Sequence, residues 1–319
     1  MSPFLSKKPD VEMVHLTAYL FPGQGSQGVG MGQALAQRSQ EARQTFAEAD
    51  RILGFPLSEL CFRGPAEILT ETSNAQPAIL TTSIAALRAL QAERSDLPQP
   101  AFLAGHSLGE YSALVAAGAL QFSDAVRLTR VRGELMARAG ERSPGRMAAI
   151  LGIEDDQVAA ICAQAASETA SVVQVANYNS PGQVVISGEK AGVERAMELA
   201  KESRGRSRLL AVSIAAHSAL MASIADEFSD HVTATPLALP VVPVIGNLSA
   251  RPMSSFEQIR DELVRQLTGS VRWTESVRIM IEGGAQRFVE IGPGSVLTGL
   301  IKRIAPEAET ANVAESVDI

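Results

Sequence analysis

Aromatic side chains are scarce in this chain of 319 residues: Phe, Trp and Tyr together make up 4%, with a single tryptophan. Long basic runs are missing too, and the formal net charge is −7. Without a basic stripe or aromatics to stack bases, nucleic acid is excluded as an expected partner. Cysteine is limited to Cys61 and Cys162, both in helix-like surroundings and without metal-ligand spacing. That pattern excludes a disulfide framework and reads as two buried thiols in a reducing, cytoplasmic compartment. No segment offers ~18 consecutive apolar residues, so no membrane-spanning helix is expected. Residues 1–15 lack the uninterrupted apolar stretch of a secretory signal and are expected to be a frayed leader. Histidine is the most telling shortage. Only His15, His106, His217 and His231 are present, so a reaction needing an imidazole base has few places to find one.

What the sequence does have is hydrophobic bulk, 46% of its residues, supplied mainly by small and branched aliphatic side chains. Such a composition suits closely packed α/β layers, and the length allows two domains or one large one. The stretch AFLAGHSLGEYSALVAAGAL, residues 101–120, organises the rest. Mostly apolar residues lead into Gly105-His106-Ser107-Leu108-Gly109, and an amphipathic run follows. Strand, sharp turn and helix with serine at the apex make the pattern of a nucleophile elbow, where neither flank has room for a β-carbon. The helix start beyond Ser107 offers unpaired backbone N–H groups to negative charge.

A second glycine-rich loop follows the expected strand HLTAYLF. Gly23, Gly25 and Gly28 spell G-x-G-x-x-G, a dinucleotide-binding fingerprint that also requires a second strand ending in an acid about twenty residues on. Here the chain reads instead as a helix from about Met31 to Leu53, and Glu41, Glu48 and Asp50 lie on it. The alternative use of the loop is to bring backbone N–H groups, with Gln24, against a reacting carbonyl.

Residues 56–94 read as helical, with Pro77 at a first helical position. After the elbow, Ser123-Asp124 is expected to cap the helix DAVRLTRVRGELMARAG. At ~100° per residue, Ala125, Leu128, Leu135, Met136 and Ala139 share one face with Arg132, while Arg127, Arg130 and Arg138 point away. An arginine aimed at a core needs an anion. That anion is either an internal Asp or Glu, or a substrate carboxylate gripped by a bidentate fork.

From Gly145 the pattern changes to β-α-β-β-α-β over residues 145–211, the order of a ferredoxin-like unit. It reads as an insert in a larger α/β domain made of residues 16–144 and 212–307, with residues 1–15 and 308–319 as flexible tails. The cluster Lys201, Arg204, Arg206 and Arg208 is a solvated surface or the receiver of an acidic partner. The run AVSIAAHSALM is expected to set His217 at a strand end before a helix, where α/β sites are built. His15 belongs to the leader, His231 to a polar run, and the His106 side chain points away from the elbow's reacting side. By elimination His217 is the base for Ser107. No Asp or Glu stands out in a strand-end loop as the third member of a triad, so a backbone or side-chain carbonyl is expected to orient the imidazole.

Together these residues resemble a family. GHSLGEYSALVAAG, FPGQGSQ, QPAI, NSPGQVVISG, VSIAAHSALM and VEIGPGSVLTGL are similar to stretches of malonyl-CoA:acyl carrier protein transacylases, over about residues 16–305. These are stand-alone enzymes of fatty acid synthesis and the related acyltransferases of polyketide synthases. The resemblance implies an α/β-hydrolase-like large subdomain carrying a ferredoxin-like (α+β) small subdomain. It also implies ping-pong acyl transfer: Ser107 takes malonyl from malonyl-CoA as an ester, and the phosphopantetheine thiol of a holo acyl carrier protein removes it. No cofactor or metal is expected, because the CoA thioester is a substrate. His217 matches the family's base and the backbone N–H groups of Gln24 and Leu108 match its oxyanion hole. Arg132 matches the arginine that pairs with the malonyl carboxylate. Gln266 matches the position whose backbone carbonyl holds the histidine ring.

One departure stands beside the histidine. Where the family carries serine or phenylalanine, this chain has Ala216 after Ala215, which leaves room beside the acyl Cα for substituted units such as methylmalonyl. Two further readings stay open: an acyl-carrier-protein hydrolase with the same Ser-His pair, against which Arg132 argues, and a non-enzymatic dinucleotide-binding module.

Overall fold

The computed structural model describes residues 16–94, 96–212 and 214–317, so the expected leader, His15 included, lies outside the described residues. In chain order the strands are β1 Leu16–Phe21, β2 Phe102–Gly105, β3 Gly145–Leu151, β4 Val173–Ser180, β5 Gln183–Glu189, β6 Arg206–Leu209, β7 Val244–Ile245, β8 Ala285–Ile291 and β9 Glu309–Val313. One sheet has the order β7-β2-β1-β8-β9, with every neighbouring pair parallel. A second sheet has the order β4-β5-β3-β6, with every pair antiparallel. The chain is thus an α/β protein with a small α+β unit of ferredoxin-like strand order.

Burial explains the continuous apolar reading of β1. Tyr19 and Phe21 face one core, shared with the helices Thr72–Glu93 and Phe122–Arg142. Ala18 and Leu20 face a second core on the other side of the sheet, with Trp273, Val277 and Leu300. A parallel strand covered on both faces needs apolar residues at every position, and each large side chain buried there contributes roughly 1.5–3 kcal/mol. The carboxyl ends of β1, β2 and β7 meet at one edge of this sheet, where α/β folds place their clefts.

The small sheet packs its two helices, Asp155–Thr169 and Lys190–Glu202, on one face through Ile150, Val175, Val184 and Ile186. Its opposite face, with Met147, Ala176 and Val185, packs against Leu210, Val212 and Ala216. Backbone bonds from Tyr178 N–H to Val271 O (2.9 Å) and from Val271 N–H to Ala176 O (2.8 Å) tie β4 to the larger unit. The insert therefore roofs the segment that carries His217.

Several local expectations are corrected. Residues 309–313 are no flexible tail: β9 pairs with β8 from Arg287↔Glu309 to Ile291↔Val313, and Val313 and Val317 are buried. ETANV is short and mostly polar, so its strand character comes from the open edge of β8 rather than from periodicity. The helix expected from Met31 is broken at Ser39, whose hydroxyl accepts from the Ala42 N–H (3.2 Å) and restarts it as Gln40–Leu53.

Pro77 lies inside Thr72–Glu93 rather than at its start. A proline there deprives the Ser73 carbonyl of its helical partner, and Arg130 Nη1 supplies one at 3.2 Å. Asp124 does not cap. The helix Phe122–Arg142 begins two residues before it, and Asp124 pairs with Arg127 at 3.2 Å. β6 ends at Leu209, and the small-residue run after it forms no strand among the described residues, so His217 stands in a loop. The dinucleotide reading fails as well. The next strand after β1 is β2, Glu48 pairs with Arg88 (3.0 Å), and Asp50 accepts from the Ser58 N–H (2.8 Å).

Candidate active site

Ser107 stands at the carboxyl end of β2 with φ 51°, in the left-handed region. A non-glycine residue held there stores on the order of 1–3 kcal/mol. A β-carbon on Gly105 would overlap the Gly109 carbonyl, and one on Gly109 would overlap the Phe21 carbonyl. Both glycines of G-x-S-x-G are therefore steric requirements. Asn247 clamps the turn: its Oδ1 accepts from the Ser107 N–H (2.7 Å) and its Nδ2 donates to Gly105 O (2.8 Å).

His217 Nε2 lies 2.8 Å from Ser107 Oγ. Its Nδ1 faces the backbone carbonyls of Gln266 (2.8 Å) and Gly269 (3.2 Å). Carbonyls only accept, so Nδ1 carries the proton and Nε2 is left to accept from the serine. The loop is fixed from the insert by Gln174 on β4, whose Nε2 donates to His217 O (3.2 Å) and Thr268 O (3.0 Å). Burial, and then the charge of Arg132, pull the imidazole down to about 3, opposed by the Gln266 carbonyl. A neutral imidazole is the form that can take a proton.

Arg132 is 1% exposed. Its Nη1 donates to Gln76 Oε1 (2.8 Å), its Nη2 to Gln266 Oε1 (2.9 Å), and Nη2 stands 3.5 Å from Ser107 Oγ. The Tyr111 ring lies beneath it, with Cζ 5.6 Å from the centroid. Among the described residues no carboxylate pairs with it, which removes the internal ion pair as its explanation. Its Nε is buried without a partner. Gly133 permits this placement, because a β-carbon there would press on the backbone of Thr72 and Ser73.

Gln24 and Leu108 lie in the turns that follow the neighbouring strands β1 and β2. The loop carrying Gln24 is pinned by Gln24 Nε2 donating to Thr72 Oγ1 (3.1 Å). Leu108 is the fully buried residue preceding the helix Gly109–Ala116. No acceptor among the described residues engages the backbone N–H of either. A strand end, a strained serine, an imidazole base, free backbone N–H groups and a buried guanidinium together suit acyl transfer involving a carboxylated acyl group.

Residues 18–318 match the acyl transferase domain family. The chain belongs to that family. Within it, the malonyl CoA-acyl carrier protein transacylase of Bacillus subtilis (strain 168) is 47% identical over 299 residues, covering 93% of each chain. That of Escherichia coli (strain K12) is 46% identical over 288 residues, covering 90% of this chain and 92% of its own. The solved malonyl CoA-acyl carrier protein transacylase of Coxiella burnetii superposes with a TM-score of 0.92 at 38% identity, covering 95% of both chains. A type II PKS acyl-carrier protein in complex with its malonyl-transacylase matches with a TM-score of 0.90 at 43% identity, covering 93% of this chain and 96% of that one.

In this acyl transferase, Ser107, His217, Arg132 and Gln266 converge directly. Ala216, beside His217, is half-buried against the underside of the small sheet. His106 turns away toward the insert, pairing with Asn179 Oδ1 (2.8 Å) and lying 5.5 Å from the Trp273 ring. His231 is exposed on the helix Ala225–Ala234. Sequence reasoning missed Gln76, Glu110, Gln174 and Asn247, and it missed the side chain of Gln266. Glu110 offered a signal, the one acid in the stretch GHSLGEYSALVAAG. The amides offered none.

Proposed function

We propose that this chain transfers a malonyl group from malonyl-CoA to the phosphopantetheine thiol of an acyl carrier protein, as a malonyl-CoA:acyl carrier protein S-malonyltransferase. One observation carries the reading: Arg132 is a buried guanidinium beside the nucleophile, held by neutral oxygens and no carboxylate, and with an unpartnered Nε. A buried cation without a carboxylate is costly, and an acyl group that brings its own carboxylate offsets that cost.

His217 Nε2 takes the proton as Ser107 Oγ attacks the malonyl thioester carbon. The tetrahedral oxyanion is received by the N–H groups of Gln24 and Leu108. Collapse expels the CoA thiol, which takes the proton from His217, and leaves malonyl as an ester on Ser107. The phosphopantetheine thiol then attacks this ester by the reverse of the same steps, with His217 again as base. Gln266 O keeps the ring in the tautomer both halves need. The scheme calls for no resident cofactor, the CoA thioester being a substrate.

Hydrolysis by the same dyad is the weaker reading, since a carboxylate clamp serves delivery of a chosen acyl group rather than clearance of arbitrary ones. We also assign the protein to the cytoplasm. Cys61 and Cys162 are free and buried, as suits a reducing compartment, and among the described residues no helix is long and apolar enough to cross a membrane. The reading is tested by acyl selectivity: the wild-type protein is expected to load malonyl-CoA in strong preference to acetyl-CoA. Equal loading by both contradicts it.

A further inference from the structure

Glu110 follows Gly109 in the elbow helix and is fully buried, yet no step of the transfer uses it. Its Oε1 accepts from the Asn247 backbone N–H (2.9 Å) and from Asn247 Nδ2 (3.1 Å). Its Oε2 accepts from Gln266 Nε2. The same Gln266 Nε2 donates to the Ser107 carbonyl (3.1 Å), while Gln266 Oε1 accepts from Arg132 Nη2 (2.9 Å).

Groups of fixed polarity decide which way this amide turns. Arg132 can only donate, so the Gln266 oxygen must face it, and the Gln266 amino group must face Ser107 O and Glu110. The Asn247 backbone N–H also can only donate. Both Glu110 oxygens therefore face donors, and a carboxylic O–H would find no acceptor.

Burial, and then the neighbouring Glu262, push the Glu110 carboxyl well above the usual range, against the Asn247 donors and Arg132. Glu262, itself raised by burial, accepts from the Leu248 N–H (2.5 Å) and from the Ser249 hydroxyl (3.4 Å). The donors on both Glu110 oxygens favour its carboxylate form.

We propose that Glu110 is the counter-ion of Arg132 at one remove, a positioning residue that reaches the guanidinium through the side-chain amide of Gln266. The buried guanidinium is partly compensated before substrate arrives, yet no carboxylate occupies its fork. A direct ion pair would have to be broken by each incoming malonyl group. Through Asn247, the same carboxylate also holds the Ser107 N–H and the Gly105 carbonyl. One buried acid thus registers the acyl clamp against the nucleophile.

This inference rests on the malonyl-transfer reading, and its test separates the two. Glu110→Gln keeps the shape but adds a donor. Turned one way, that donor meets the Asn247 N–H; turned the other, it meets Gln266 Nε2 and passes the mismatch to Arg132. Acyl-enzyme formation from malonyl-CoA and from acetyl-CoA is followed by intact mass after rapid quenching, for wild type and variant.

The malonyl-over-acetyl ratio of kcat/KM is expected to fall by about tenfold or more, the loss of one charge-assisted hydrogen bond at the clamp. An unchanged ratio overturns the proposal, whether both rates hold or both fall together, because a merely structural role lowers both alike. If Glu110→Gln does not fold, Gln266→Met is read the same way, since it cuts the relay but keeps the backbone carbonyl on His217. A wild-type protein without malonyl preference sinks the transfer reading itself, and this inference with it.

Discussion

The imidazole of His217 hangs from the backbone carbonyl of Gln266, 2.8 Å from Nδ1, where a triad would place a carboxylate. A neutral carbonyl fixes the tautomer but lends the imidazolium little charge stabilisation. With burial and Arg132 pulling the group down to about 3, the base stays neutral through the range where an ordinary histidine titrates. Acylation by malonyl-CoA, followed as kcat/KM, is therefore expected to stay flat down to about pH 5, with no inflection near the ordinary histidine value. A bend centred near that value contradicts the assignment.

The same shift has a consequence for stability. His217 takes up a proton near 6.5 when unfolded but only near 3 when folded. Between those values the unfolded state binds the extra proton, so the contribution is complete above 6.5 and is lost as pH falls through the window. In denaturant titrations the wild-type midpoint is expected to fall more steeply across this window than that of His217→Gln. Parallel slopes contradict the shift.

Arg132→Ala removes the proposed clamp. The loss of a buried, hydrogen-bonded charge partner predicts a fall of about 10²–10³-fold in kcat/KM for malonyl-CoA, with a smaller fall for acetyl-CoA. Arg132→Lys is not expected to restore it, since one ammonium cannot span Gln76 and Gln266 and still offer a fork. Unchanged malonyl transfer in Arg132→Ala would show that the guanidinium is structural.

The elbow stores strain, which two variants lacking the same hydroxyl expose. Ser107→Ala and Ser107→Gly both remove the proposed nucleophile, but only glycine occupies φ 51° without a β-carbon penalty. The glycine variant is expected to be the more stable by about 1 kcal/mol, read from chemical denaturation. Equal stabilities would mean the turn is unstrained.

The elbow was readable in sequence because its signal is local: two glycines two residues either side of a serine, between a strand and a helix. Arg132 was readable because helical periodicity placed it among Ala125, Leu128 and Leu135, and it is indeed buried with them. The partners of that arginine were not. Gln76 reaches it from another helix and Gln266 from the turn that ends the helix Phe256–Arg265, and an amide carries no pattern that marks its role before the chain folds. Asn247 is the same case, since its Ser107 contact joins residues 140 apart in the chain. β9 escaped notice because a short polar strand borrows its order from a neighbour. Local geometry was legible, and the network that holds it was not.

The most direct measurement is a two-stage intact-mass experiment. The protein is incubated with malonyl-CoA, freed of excess substrate, and then mixed with a holo acyl carrier protein. A single malonyl adduct is expected on wild type and none on Ser107→Ala, with the adduct passing quantitatively to the carrier's phosphopantetheine. A malonyl adduct that is released only to water, or that persists in Ser107→Ala, contradicts the account.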